Sequence, residues 1–368
     1  MGQRVRKKVW STTWRILVCL ILLAWLSHSI FLKEGKQTAQ EQGLQWESLS
    51  RAEQWKFAWH YGPIDLWHNL SIVEPGPFAL SLVLMGSALA LGIVRWRTVL
   101  RVQGINLSWG RATEISLVAH FFNSFLLGST GGDLMKAYYA ARETHHKKTE
   151  AVVTVFVDRL IGLWAMLLFA CLMMVPNASL LFAHGKLRSI SAVIVLMAAG
   201  CTTMVALAFW GGVSKRWGGA RGWLRKLPKG EWLERSLDSC REFGRERSFL
   251  WRALAISMVL NVFCVLQVMA VAWGLHLQIP PLALFVIVPI VICISALPIT
   301  PSGLGVRENL FVLMLSAPSI GVPGALALSL SLLTLAGSLI WSLVGGIVYV
   351  SLKERHHLTE RELTTTEA

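Results

Sequence analysis

The residues most able to do chemistry in this sequence fall in three short stretches. The first, TPSGLGVRENLF at 300–311, sets Ser302, Gly303 and Gly305 ahead of an adjacent Arg307–Glu308 pair. The second, STGGDLMKAYY at 129–139, sets Gly131 and Gly132 ahead of Asp133 and Lys136. The third, VFVDRLIGLW at 155–164, places Asp158 beside Arg159. In the first two, small polar residues, two glycines and then charge lead into a helix-like run. Glycine allows a tight turn and close backbone approach. The helix that follows would direct its N-terminal amides at the break, and that end attracts anions such as phosphate. Arginine adds a planar fork suited to bidentate phosphate contact. These residue types favour recognition of an anionic group. No paired carboxylates stand at catalytic spacing and none of the six cysteines has metal-ligand spacing, so neither an enzyme, a metal nor a cofactor is expected. A membrane-embedded transferase is the weakest of the readings.

The elements that position these residues are membrane helices. The chain is 54% hydrophobic and only 15% charged, with a mean hydropathy of +0.54, whereas a soluble domain carries about 25% charged residues. Long apolar runs occupy Ile16–Leu32, Phe78–Val94, Val152–Val175, Ile190–Gly211, Trp251–Leu275, Leu282–Leu297 and Gly324–Val350. Runs of this kind cross a bilayer core of about 30 Å, and backbone in lipid satisfies itself as helix. The expected fold is an all-α, polytopic integral membrane bundle of about 6–8 transmembrane segments. Residues 1–353 form one transmembrane domain and 354–368 a polar tail. Trp10, Trp14, Trp96, Trp210, Trp251 and Trp273 flank spans as interfacial anchors. A secretory leader is the other reading of Ile16–Leu32, but no convincing cleavage site follows it, so it is taken as a retained helix.

Charge sets the orientation. Residues 1–15 hold five basic and no acidic side chains, 95–112 four and none, and 212–248 ten against five. Residues 33–76 hold four basic against six acidic. Lys and Arg favour the cytoplasmic side, so the N-terminus and the 95–112 and 212–248 loops are inside and 33–76 is a periplasmic loop. Nucleic-acid binding, the other usual meaning of a high pI, is not expected, because topology accounts for the bias. Parity then requires residues 113–150 to enter and leave on one face, as a re-entrant hairpin turning near LGSTGGD. Leu282–Leu315 is read as a second hairpin turning near TPSGLGVRE, the rival being a full span at Leu282–Leu297. Two Gly-rich hairpins entered from opposite faces are what an inverted-repeat transporter would use.

Plainer readings stand beside these. Membrane glycines mostly serve helix packing, and Arg307 and Glu308 would then be interfacial charges. Asp158 lies about 9 Å into its span at 1.5 Å per residue. Adjacent helical residues do not face each other, so Asp158 and Arg159 need partners elsewhere, and Lys136 and Asp133 are the nearby candidates. A structural ion pair tying hairpin to helix is the alternative to a binding site. For His120 and Asn123 on the hairpin's first arm, interhelical hydrogen bonding is the simpler role. In the basic loop, Trp232, Leu233, Leu237, Cys240 and Phe243 approximate a helical stripe with Arg225, Lys226, Arg235, Arg241 and Arg245 around it. That suits a helix lying on anionic lipid, a cytoplasmic linker being the alternative.

Three blocks, GSTGGDLMKAYYAAR at 128–142, FVDRLIGL at 156–163 and LPITPSGLGVRE at 297–308, resemble the signature blocks of the lysylphosphatidylglycerol synthase transmembrane family, in order and across about residues 10–350. That family is also described as flippase-like and resembles the membrane half of multiple-peptide-resistance proteins. Lys136 stands where the family pattern has arginine, and Ser129–Thr130 replaces a proline-containing turn. The resemblance implies a multi-pass protein of the bacterial inner membrane, N-terminus cytoplasmic. It would bind and move an anionic or aminoacylated phospholipid or a polyprenol-linked lipid. The substrate-binding set would be Asn123, Gly131, Gly132, Asp133, Lys136, Asp158, Arg159, Ser302, Gly303, Gly305, Arg307 and Glu308. No acyltransferase-like soluble segment is legible, so synthase chemistry is not expected. The alternative function is an accessory lipid-binding protein that scaffolds a separate synthase or glycosyltransferase. Membrane lipids are the expected partners, with homo-oligomers open.

Overall fold

The computed structural model describes residues 46–71, 73–125, 131–144, 147–182, 185–209, 246–297 and 305–366, with His28, Phe31, Leu32, Ala39, Phe243 and Gly303. Its helices are α1 (Arg51–Ser71), α2 (Pro75–Val102), α3 (Trp109–Phe125), α4 (Gly131–Glu143), α5 (Lys148–Met174), α6 (Ala178–Phe182), α7 (Gly185–Phe209), α8 (Arg247–Gly274), α9 (Pro281–Ser295), α10 (Val306–Leu315) and α11 (Gly324–Thr366). Five of them contain segments long and apolar enough to cross a bilayer: Pro75–Val102, Lys148–Met174, Leu187–Ala206, Ser248–Gly274 and Gly324–Ser351. The chain is a polytopic all-helical membrane protein. The first apolar run, Ile16–Leu32, lies almost wholly outside the described residues.

The chain divides into two compact units. One comprises Met1–Ala88, Met166–Met197 and Asn261–Gly337; the other comprises Leu89–Ala165, Ala198–Leu260 and Ser338–Ala368. The first holds the helix pair α9–α10 and the second holds the pair α3–α4.

In the second unit the pair α3–α4 is closed at its base. Helix α2 ends in a glycine cap: Gly104 sits at φ 64°, its N–H reaches Arg101 O at 2.9 Å, and Ile105 N–H reaches Leu100 O at 3.0 Å. These bonds satisfy carbonyls that a helix end otherwise leaves bare. Lys147 Nζ donates to Gln103 O at 2.8 Å, so the residues entering and leaving the pair touch. Residues 103–147 therefore begin and end on one side, as parity requires. Arg111 ties the two arms, donating to Glu143 at 2.6 and 2.8 Å and to Glu114 at 2.8 Å. At the far end Gly132 N–H donates to Asn123 Oδ1 at 2.9 Å. A Cβ on Gly132 would fall 1.9 Å from Ala119 O, so only glycine lets the arms meet. Helix α3 docks on α11 along a seam of small residues. Ser342 Oγ donates to His120 O at 3.2 Å, His120 Nε2 lies 3.3 Å from Ser338 O, and a Cβ on Gly345 would meet Leu117 O at 2.1 Å. The hydrogen bonding expected of His120 and Asn123 is thus present. Behind them a core of Ile93, Trp96, Leu100, Ile115, Val118, Tyr139 and Val155 is buried.

In the first unit α9 is apolar all round, and nine of its fifteen residues are buried. At 1.5 Å per residue it measures about 22 Å, short of a bilayer core. It packs against α10 within one unit, which favours the hairpin arm over the full span. Glu74 N–H donates to Gly274 O at 3.0 Å, tying the start of α2 to the end of α8.

Three expectations need correction. The span read as Phe78–Val94 runs on to Val102, so Arg95, Arg97 and Arg101 belong to α2 and not to a loop. Residues 33–76 are not all loop, because Arg51–Ser71 is a 21-residue helix. Phe243, assigned to a lipid-facing stripe, is buried and meets Phe249 at 5.5 Å between ring centroids; an apolar ring gains more in that core than at a membrane surface. Arg225, Lys226, Trp232, Arg235 and Arg241 lie outside the described residues.

Candidate functional site: a buried ion cluster and a glycine turn

Asp158 is the hub of the second unit. From α5 its Oδ1 accepts from Arg95 Nε at 2.8 Å, and its Oδ2 accepts from Lys136 Nζ at 3.1 Å. Three separate elements, α2, α4 and α5, are joined at one carboxylate. All three side chains are nearly enclosed, 12% exposed for Arg95 and Lys136 and 8% for Asp158. Arg95 Nη1 also donates to Ser257 Oγ on α8 at 3.1 Å. Ser257 in turn donates to Ala253 O at 2.7 Å, which leaves its lone pair for the guanidinium. Gly162 makes the space, since a Cβ there would lie 2.8 Å from Arg95 Nη1. Lys136 Nζ sits 4.3 Å from the centroid of the Trp96 ring, a cation–π contact. Trp96 is fully buried and its indole N–H has no partner.

Arg159 follows Asp158 in sequence but turns to a different partner, Asp133 on α4, at 3.1 Å. This outer pair is more open, 38% and 29% exposed. The four residues singled out here, Asp133, Lys136, Asp158 and Arg159, are brought together. Asn123, Gly131 and Gly132 are not part of the ion cluster; they close the hairpin. Arg95, Gly162 and Ser257 were missed, and Trp96, read as an interfacial anchor, is instead buried in the core beneath Lys136. Arg95 stands one residue past an apolar run, where a cation reads as a topology signal, and Ser257 is a lone serine in an apolar span.

In the first unit the turn before α10 has its own constraints. Gly303 and Gly305 take φ of 69° and 81°, a left-handed region that residues with a Cβ avoid. A Cβ on Gly303 would also lie 2.7 Å from the Ser295 side chain. Glu308 is wholly enclosed and accepts from Gly305 N–H at 2.6 Å and from Arg307 Nη2 at 2.7 Å. Asn309 Nδ2 donates to Gly305 O at 2.8 Å. Arg307 Nε is buried and makes no hydrogen bond. Ser302 lies outside the described residues.

Apolar spans, two short helix pairs and ionised side chains enclosed among them define a polytopic membrane protein with polar sites inside its helical units. The profile of the family described as Lysylphosphatidylglycerol synthase TM region matches residues 53–346, and the chain belongs to that family. This gives it a function related to membrane lipids. No curated protein sequence matches the chain.

Proposed function

We propose that the chain binds the phosphate-bearing head group of a membrane lipid, at the Asp158 cluster and at the Arg307 turn, and carries such lipids across the bacterial inner membrane with its N-terminus in the cytoplasm. The observation that supports this best is the enclosed set Arg95–Asp158–Lys136, bordered by the half-open Arg159–Asp133 pair. Ionisable side chains within spans cost about 2.5–3.5 kcal/mol each to insert, so the three carried on spans, Arg95, Asp158 and Arg159, call for a task. Arg307 adds an enclosed guanidinium at the start of α10, where helix amides favour an anion.

Purified protein in vesicles, with head-group exposure of a labelled lipid as readout, tests this. Arg307→Ala would strand the enclosed Glu308 carboxylate, a fold-threatening change. Arg307→Gln, whose amide can still donate to Glu308, is the better variant. It should abolish lipid movement in a monodisperse protein, and Arg307→Lys should recover part of it, keeping the charge without the fork. Normal transport by a stable Arg307→Gln protein would reduce Arg307 to an anchor. Lipid binding with no movement in wild type would point to the accessory role beside a synthase or glycosyltransferase.

A further inference from the structure

The turn before α10 leaves an arginine half engaged. Arg307 donates to Glu308 Oε1 through Nη2 alone, at 2.7 Å. Nη2 and Nε share one edge of the guanidinium, the edge that grips an oxyanion with two parallel bonds. Nε is buried and has no partner. The helix cap explains why. Gly305, the N-cap, has no side chain, and Glu308 gives its other oxygen, Oε2, to the Gly305 N–H at 2.6 Å, as in half of a capping box. With one oxygen committed to the backbone, Glu308 cannot fill the fork. Ser295 Oγ is also buried without a partner, on the arm α9 that packs against α10 and beside Gly303. Two enclosed donors are unmet around one turn, and buried polar groups are rarely left so.

The charges here form a closed account. Among the described residues Arg307 and Glu308 form an ion pair only with each other, one cation with one anion. Helix α10 carries no other ionisable side chain, and α9 carries only the Cys293 thiol. Residues 296–305 carry none. Helix α11, whose Ala325 and Leu328 pack against Val312 of α10, carries none as far as Gly337. The turn is therefore neutral as it stands. An anionic head group on Arg307 would set two anions on one guanidinium. Glu308 is wholly enclosed, so no water screens them, and a like charge that close favours the protonated form of the weaker acid. A phosphodiester keeps its charge near neutral pH; a carboxylate is the weaker acid of the two.

We propose that Glu308 is a proton-binding site: it takes one proton from water when an anionic lipid head group lands on Arg307, and returns it when the lipid leaves. This rests on the lipid-binding reading above and names the proton as co-substrate of the Arg307 site. The step balances. The lipid brings one negative charge and the proton one positive charge, the guanidinium is unchanged, and the enclosed turn stays neutral. Arg307 Nη2 passes from Glu308 Oε1 to a phosphate oxygen, and a second phosphate oxygen takes Nε. The proton goes to Oε1, the oxygen that Arg307 has left. Oε2 remains a carbonyl oxygen and still accepts from Gly305, so the cap of α10 holds in both states.

The test uses the full chain in detergent, titrated with short-chain phosphatidylglycerol, whose phosphodiester does not titrate near neutral pH. Calorimetry in two buffers of different ionisation enthalpy counts the protons taken up on binding. Wild type should take up close to one proton. Because the complex holds more protons than the free protein, affinity should fall as pH rises, by up to about tenfold per pH unit. Glu308→Gln puts an amide where the protonated carboxyl would be, keeps an oxygen for Gly305 and frees Arg307. It should bind the lipid at least as tightly as wild type, with the uptake gone. Arg307→Gln removes the cation on which the head group lands and should also remove the uptake, with the carboxylate still in place; it serves where Glu308→Gln is not monodisperse. Undiminished uptake in either variant, or weaker binding by a monodisperse Glu308→Gln protein, would overturn the proposal. Wild-type binding with no uptake and a pH-independent Kd would overturn it too and leave lipid binding standing. No binding by wild type at any pH would remove the lipid-binding reading itself, and the proton site with it.

Discussion

Replacing Asp158 with asparagine should be the most damaging isosteric change in the second unit, and a second substitution should partly repair it. The carboxylate accepts from two cations at 2.8 and 3.1 Å and is 8% exposed. Arg95, Lys136 and Asp158 together carry +1. Asp158→Asn raises this to +2 and leaves both cations enclosed without an anion. Removing one partner of a buried ion pair costs about 3–5 kcal/mol, and this loss strands two cations at once, so the upper part of that range applies. Arg95→Met instead leaves Lys136 and Asp158 as a neutral pair and loses only charged hydrogen bonds, at about 1.5–3 kcal/mol each. The double variant leaves Lys136 alone and returns the sum to +1. It should therefore be more stable than Asp158→Asn by about 1 kcal/mol or more, a coupling typical of residues in one network. Unfolding in mixed detergent micelles, with all three variants compared to wild type, measures this. A double variant less stable than Asp158→Asn, with the two costs simply adding, would show that Asp158 is not the group that holds the cations.

Gly132→Ala should prevent the α3–α4 arms from closing, because its Cβ would sit 1.9 Å from a backbone oxygen; loss of monodisperse protein in size-exclusion chromatography is the readout. Gly303→Ala combines a φ of 69° with a 2.7 Å approach to Ser295 and should cost about 1–3 kcal/mol of stability, seen as a lowered thermal midpoint. Cysteines introduced singly at Asn106 and Lys148, both exposed and on either side of the pair, should label from the cytoplasmic side alone with an impermeant reagent. Labelling of the two from opposite sides would contradict the closed base formed by Lys147 and Gln103.

Charge parity made the α3–α4 hairpin legible, since Lys and Arg counts fix the faces on which residues 113–150 begin and end. The partners of Asp158 and Arg159 were legible because neighbours on a helix point apart, which sends each to a partner on another element, and the preceding glycine block offered Lys136 and Asp133. Arg95 was not legible. A cation at the end of an apolar run is the commonest topology signal, and only the packing of α2 against α5 reveals that it points inward to Asp158. Nor was α1, which mixes Arg51, Glu53, Lys56 and Asp65 with its apolar residues. One signal did announce it: Ser50 and Glu53 exchange hydrogen bonds, Ser50 N–H to Glu53 at 2.8 Å and Glu53 N–H to Ser50 Oγ at 3.4 Å. That is the S-x-x-E start pattern of a helix. The pair Arg307–Glu308 departs from the rule that separated Asp158 from Arg159. At the first turn of α10 a long side chain can reach its neighbour, as the 2.7 Å contact shows.

The bond from Lys147 to the Gln103 carbonyl makes the hairpin a bracketed insertion. The chain arrives at and departs from nearly the same point, so the route between those residues adds no distance between α2 and α5. Lengthening, trimming or exchanging the arms would leave the consecutive spans as neighbours, provided the bracket stayed shut. A graft of another hairpin between Gln103 and Lys147 would inherit the position of the old one, while Arg95 and Asp158, carried on the spans, stayed in place. Such a layout leaves the arms free to vary in reach, provided α4 still presents Lys136 and Asp133 to the span-borne Arg95, Asp158 and Arg159.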